Sequence, residues 1–273
     1  MKEVENFLAS HGYSDATIDS YRRVFARLLA GRDLQGLTAS GLVELVRSQG
    51  WGNSQQCVAL AACRKYLRWR FGSAHPALSA RIKPVRSKPQ RTLTVEKALE
   101  LLMMFDASAP KGARDLAMAA TLLDTGLRAS ELCRLQLADV DLDRRVLEVI
   151  VKGGQWGAGI FSDRTAEYIS AWLQARRAAR GVGAMFVNVQ SGGQLTRDGL
   201  KCIVREWGRA IGIKLSPHDF RRSFATISSV FGAPSRLVQL GGRWSSIEMV
   251  EHYTRGLQAD ALRPFLPVSN LNP

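Results

Sequence analysis

No window of the 273-residue chain approaches eighteen uninterrupted apolar side chains, so the sequence predicts no membrane span. The N-terminus, MKEVENFLASHGYS, places acids early and lacks a long apolar core, and so does not read as a secretory signal. Both absences point to a cytoplasmic protein. Cysteine is scarce: the four are Cys57, Cys63, Cys133 and Cys202. No pair has C-x-x-C spacing, and no histidine stands near them in a metal-ligand pattern. They read as small buried hydrophobes in a reducing compartment, and no metal site, structural zinc included, is expected. The deficit with the largest consequence is of acid. Only 24 Asp and Glu face 38 Lys and Arg, a formal net charge of +14. An excess of this size points to a polyanionic partner.

The excess is not a tail. Residues 1–88 hold 14 Lys and Arg against 6 Asp and Glu, and the remainder holds 24 against 18, so both parts are able to meet phosphates. An apolar content of 46% supports real cores rather than disorder. Residues 1–72 read as helical. Ser14 or Asp15 opens one helix, with Ile18, Tyr21, Phe25 and Leu28 on one stripe; Thr38 opens a second; Asn53 or Ser54 opens a third, closed by Gly72. Arg64, Lys65, Arg68 and Arg70 crowd the end of that third helix, interleaved with Tyr66, Trp69 and Phe71. Snorkelling over a packed aromatic face explains the aromatics, and phosphate contact by Arg64, Lys65 and Arg68 explains the concentration of cations. Residues 73–92, with Pro76, Pro84 and Pro89 and five Lys and Arg, read as a basic extended linker.

From residue 93 a second, mostly helical domain is expected to run to residue 273. Thr94 opens its first helix, and a second ends at Gly126. The segment 144–153 reads as a strand, Gly153 to Gly157 as a turn and 158–161 as a returning strand. Helices follow over 163–180, 196–211, 217–231, 234–241 and 246–256. The predicted fold is thus mainly α: an N-terminal helical domain, a linker, and a C-terminal mostly helical domain with one small antiparallel sheet.

Six residues in that second domain carry chemistry. Arg128 lies in TGLRASEL (125–132), Lys152 in VKGG (151–154), His218 and Arg221 in SPHDFRRSFAT (216–226), and Trp244 and Tyr253 in GRWSSIEMVEHYTR (242–255). Ser216 and Pro217 suit a helix start, which puts His218 and Arg221 on one face near the positive end of a helix. Gly126 lets a helix stop sharply. Arg128 follows in the turn, where Glu131, three residues on, is placed to accept from its guanidinium and fix the fork. Ser245 and Glu248 fit a capping box for the last helix, whose far end carries Tyr253. Taken singly, a His-x-x-Arg pair or a lone tyrosine is commonplace. Together they make an anion pocket with an oxygen nucleophile, which is what attack on a phosphodiester requires.

The order R…K…HxxR…W…Y in these contexts resembles the tyrosine recombinase, or phage integrase, family, Xer-like members included. TGLRASEL resembles its first-arginine motif, SPHDFRRSFAT its H-x-x-R box, and WSSIEMVEHYTR its last box, where a His or Trp precedes the tyrosine by nine residues. Residues 1–72 resemble the family's core-binding domain, which clamps DNA, and 93–273 its catalytic domain. In the hairpin, VKGGQWGAGIF has fewer cations after the lysine than is usual. The resemblance implies a site-specific recombinase that cuts and rejoins double-stranded DNA through a 3′-phosphotyrosyl intermediate, as a homotetramer and without a cofactor. It implies Tyr253 as nucleophile, Arg128 and Arg221 on the non-bridging oxygens, and Lys152 as general acid. His218 is then base or donor, Trp244 a donor or packing wall, and Glu131 the support of Arg128. The alternatives are a nicking and closing enzyme of the type IB topoisomerase kind, or a catalytically silent DNA-binding relative.

Overall fold

Apolar stripes on four short helices fold the N-terminal region, and a computed structural model shows how. It describes residues 2–32, 34–85, 90–150, 154–177 and 181–254, which divide between two units, Met1–Lys88 and Pro89–Pro273. The first contains α1 (Lys2–Ala9), α2 (Asp15–Leu28), α3 (Ala39–Arg47) and α4 (Asn53–Phe71). The Thr38 hydroxyl accepts from Gly41 N at the start of α3, and Gly72 ends α4 with φ of 86°. Phe7, Phe25, Leu28, Leu42, Val46, Cys63 and Leu67 form the centre of the core. Phe7 meets Phe25 and Tyr66 edge-on, at centroid distances of 5.9 and 5.5 Å. Two ion pairs, Arg22 with Glu5 and Arg70 with Glu3, tie α1 to α2 and to α4.

Within the stretch read as an extended linker, residues 76–80 are instead folded onto the N-terminal core. Pro76–Ser79 forms a 3-10 turn, and Ala77, Leu78 and Ala80 are buried in the N-terminal core. The buried His75 ring bonds through Nε2 to the Leu34 carbonyl oxygen. Pro76 opens the turn, and the buried Ala77, Leu78 and Ala80 anchor it. Such a short segment leaves no periodic signal.

The second unit orders as α5 (Val95–Met103), α6 (Pro110–Thr125), α7 (Ala129–Arg134), β1 (Val140–Asp141), β2 (Val146–Ile150), β3 (Trp156–Ile160), α8 (Asp163–Ala175), α9 (Arg197–Ala210), α10 (Pro217–Val230), α11 (Ser235–Gly241) and α12 (Glu248–Thr254). Helix α6 is its centre. Met118, Ala119 and Leu122 are buried, in company with Leu101, Ile169, Trp172, Phe186 and Phe220 from other segments. At the C-terminal end of α6 the Asp124 carboxylate accepts from Ser162 N, Ser162 Oγ and Thr165 Oγ1, which caps α8 from outside.

The sheet is antiparallel in the order β1-β2-β3. Leu147 and Val149 face the core while Glu148 and Ile150 face solvent, the alternation of a half-buried strand. Two-residue β1 is absent from the sequence reading because so short an edge strand carries no pattern. Strand β3 begins at Trp156, inside the expected turn, and α8 ends at Ala175 rather than 180, where Arg176 turns to extended backbone and its side chain bonds the Val182 and Ala184 carbonyls. Of the cysteines, Cys63 and Cys133 are buried, which pushes their thiols up to about 12 and about 11; Cys57 is half-buried, and Cys202 is exposed, contrary to expectation.

Candidate nucleic-acid cleavage site

The site forms where α6, α7, α10, α11 and α12 end or begin. Gly126 closes α6 in the left-handed region with φ of 58°, and a Cβ there would come within 2.9 Å of the Phe224 ring, so the sharp stop and the close helix approach both need glycine. The chain then reverses and Arg128 sits at the N-cap of α7. Glu131 holds it twice: the Arg128 backbone N–H donates to Oε2 at 2.9 Å and Nη1 donates to Oε1 at 2.6 Å. Glu131 is buried, whereas the Arg128 side chain keeps 38% of its surface exposed. The carboxylate thus fixes the base of the fork while the remaining donors face solvent.

His218 and Arg221 come from the first turn and a half of α10. Asp219 Oδ2 accepts from Ser216 N and Oγ at 2.8 and 2.7 Å, and Oδ1 accepts from Arg222, which locks the helix start. Arg221 is only 2% exposed. Its Nη1 donates to the Gly126 carbonyl and its Nη2 to the Gly242 carbonyl, bridging the ends of α6 and α11. The guanidinium lies over the Trp244 ring, 4.6 Å from the centroid. Desolvation, then the charges of Arg128 and Arg243, lower its pKa to about 9, against the pull of Glu131 and Tyr253. His218 is also lowered, first by desolvation and then by Arg222, Arg221 and, less, Arg128, while Asp219 opposes the shift.

Trp244 and Tyr253 belong to a small cluster of their own with Ala225, Val238 and Val250, packed by Phe224, Ala233 and Ile247. Their rings are 5.5 Å apart, and the Tyr253 ring meets His218 edge-on at 6.3 Å. Trp244 reaches its place because Gly242 has no side chain: a Cβ there would lie 2.0 Å from the indole. The Trp244 ring thus packs against the Arg221 guanidinium. The start of α12 differs from expectation. Ser246, not Ser245, supplies the hydroxyl that accepts from Glu248 N, at 3.2 Å.

Five of the six predicted residues, with Glu131, therefore gather around one pocket. Lys152 lies outside the described residues. One group in the pocket escaped the sequence reading. Arg243, half-hidden between Gly242 and Trp244 in the primary structure, has a side chain only 7% exposed and approaches Glu131 Oε2 at 3.8 Å. Charged residues in turns usually face solvent, so nothing in its neighbourhood distinguished it. Among the described residues no group of three or more His, Cys, Asp or Glu is placed to hold a metal, and no helix is long and apolar enough to cross a membrane.

A second basic feature lies on the N-terminal unit. Arg64, Lys65 and Arg68 line an open concavity of about 540 Å³ with His11, Tyr13, Ala61 and Trp69. His11 and Tyr13 stack at 5.3 Å, and Lys65 lies over Tyr13 at 5.6 Å. Arg70, on the same helix, is instead engaged by Glu3. Desolvation and the nearby Arg81 and Arg68 lower the Arg64 pKa.

Residues 91–259 match the profile described as the phage integrase family. Among curated relatives, the tyrosine recombinase XerA of Thermococcus kodakarensis (strain ATCC BAA-918 / JCM 12380 / KOD1) is 30% identical over 93% of this chain and 90% of its own length. The tyrosine recombinase XerC of Corynebacterium efficiens (strain DSM 44549 / YS-314 / AJ 12310 / JCM 11189 / NBRC 100395) is 33% identical over 89% of this chain and 82% of its own. The fold is similar to that of a lambda integrase dimer bound to a core site, with a TM-score of 0.74, 17% identity and coverage of 93% and 94% of the two chains. It is likewise similar to the XerH recombinase bound to a palindromic substrate in a post-cleavage complex, with a TM-score of 0.73, 20% identity and coverage of 92% and 79%.

Proposed function

This chain belongs to the phage integrase family and is a site-specific tyrosine recombinase, and from that premise we propose how its own residues exchange strands of double-stranded DNA. Tyr253 Oη attacks the phosphorus of a phosphodiester. A P–O bond to tyrosine forms, the bond to the 5′-oxygen breaks, and the DNA is left with a 3′-phosphotyrosyl link and a free 5′-hydroxyl. A 5′-hydroxyl from a partner strand then attacks the same phosphorus and releases Tyr253. One ester is exchanged for another at each step, so no external energy source enters.

The observation that carries this reading is the packing of Arg221, Trp244, Tyr253 and His218, which puts a phenol beside a guanidinium held rigidly on an indole face. Arg128 and Arg221 meet the non-bridging oxygens and stabilise the charge of the transition state. The lowered pKa of His218 favours neutral imidazole at neutral pH, the form able to accept the phenolic proton. Lys152 donates the proton that the departing 5′-oxygen needs. Arg64, Lys65 and Arg68 contact the DNA backbone from the N-terminal unit, which clamps the duplex, and four copies assemble on two duplexes.

A nicked substrate that loses its 5′-fragment after cleavage tests this directly. The expected result is a denaturant-resistant adduct mapping to Tyr253, formed equally in EDTA; an adduct on another residue, or none, refutes the assignment. On the same substrate with a 5′-bridging phosphorothiolate, Lys152→Ala is expected to cleave at near wild-type rate, because a thiolate leaves unprotonated. Equal damage on both substrates removes Lys152 as the acid. Relaxation of supercoiled DNA without exchange between two sites favours the nicking and closing alternative.

A further inference from the structure

Among the described residues, Arg243 is one of two non-glycine residues with positive φ, at 53°. The other, Arg145 with φ of 55°, is exposed and follows the turn before β2. The Arg243 side chain is only 7% exposed, and an enclosed arginine in the left-handed region persists only where its surroundings over-determine it. They do. Nη1 donates to the Gly241 carbonyl at 2.8 Å and to the Ala158 carbonyl of β3 at 3.1 Å, and Nη2 donates to the Thr125 carbonyl at 2.9 Å. Its Nε is buried without a partner.

Those acceptors repeat a pattern. Arg221 bridges the carbonyls of Gly126 and Gly242, and Arg243 bridges Thr125 and Gly241, each one residue earlier on the same two helix ends. Two arginines thus clamp the ends of α6 and α11 in parallel, and only the second also grips the sheet. We propose that Arg243 is a positioning residue: it fixes the separation of the two helix ends between which Arg221 is suspended, and holds strand β3 in register with them.

The inference rests on the assignment of Arg221 and Tyr253 to strand cleavage. It predicts damage to the chemical step without damage to binding, because the carbonyls and the carboxylate that Arg243 meets all lie within its own unit. Two variants separate the possibilities. Arg243→Gly removes the side chain and suits the left-handed backbone, so it adds no backbone strain, although three carbonyls lose a donor. Arg243→Lys keeps a charge but has no planar fork to span three carbonyls. Single-turnover adduct formation at saturating nicked DNA is expected to slow roughly 10- to 100-fold in both, with DNA Kd within about threefold of wild type even where Tm falls. A rate within about twofold of wild type in either variant overturns the proposal, as does a parallel fall in rate and affinity. The wild-type protein run alongside keeps the two failures apart: no adduct there refutes the cleavage assignment itself.

Discussion

The two units hold their cations under opposite conditions. On α4, Arg64, Lys65 and Arg68 line an open concavity beside aromatic rings, with no acidic side chain lining it. In the second unit Arg221 and Arg243 are withdrawn from water, and each is tied to main-chain carbonyls that also mark helix ends. The first arrangement suits a charge that must find phosphate along a flexible polymer, where position matters within ångströms and screening is strong. The second suits a charge whose direction must be set before the substrate arrives, since a preorganised donor loses no free energy to reorientation as the reaction proceeds. On the roles proposed above, affinity and chemistry are separated along the chain, and the separation is open to direct attack.

The hardest blow is Tyr253→Phe, which is expected to abolish the covalent adduct altogether while leaving DNA affinity unchanged; a persisting adduct moves the nucleophile elsewhere. Next come the two arginines that share a task but differ in embedding. Arg128→Ala and Arg221→Ala are each expected to slow adduct formation by about 100- to 1000-fold. Only Arg221→Ala is expected to lower Tm markedly, because it also leaves two buried carbonyls without donors. Equal thermal losses would show that burial does not distinguish them. Smaller still is the combined Arg64, Lys65 and Arg68 to Ala variant. Its affinity should fall and its salt dependence flatten by about 0.9 in slope for each lost phosphate contact, with the rate at saturating DNA preserved. A lost rate at saturation would erase the division of labour between the units.

The smallest effect concerns His218. Its pKa in the folded protein lies below the ordinary 6.5, so between the two values the unfolded chain binds more protons. Stability is therefore lost as pH falls through 6.5 toward the folded value, and is constant above it. Tm measured against pH is expected to decline over that interval less steeply in His218→Asn than in wild type, and identical profiles would remove the histidine as the source.

Much of this was legible because the relevant signals are local. Thr38 and Thr94 accept from the third helical N–H as hydroxyl caps do, Gly72 and Gly126 stop helices by adopting positive φ, and Glu131 meets Arg128 through a spacing of three. The residues of the pocket were legible for a different reason: their motifs keep a family order. What escaped is tertiary. The 3-10 turn at Pro76–Ser79 is too short for periodicity, Ser246 rather than Ser245 is chosen by the path of the chain, and Arg243 draws its meaning from carbonyls at 125, 158 and 241 that no window around it contains.

One buried carboxylate, Glu131, stands among three guanidinium groups, those of Arg128, Arg221 and Arg243, the last two almost wholly enclosed. Considered as a thermodynamic object rather than a catalytic one, this is a native state carrying unneutralised charge in a poorly solvated place, and such charge destabilises the fold that contains it. A ligand bound only by the folded form raises stability in proportion to the logarithm of its concentration over its dissociation constant. Inorganic sulfate or vanadate should consequently raise the melting temperature more than chloride at equal ionic strength, and the gain should shrink in Arg221→Ala. A bound anion thereby acts on the fold as well as on the reaction, offsetting charge that one carboxylate among three guanidinium groups leaves uncompensated.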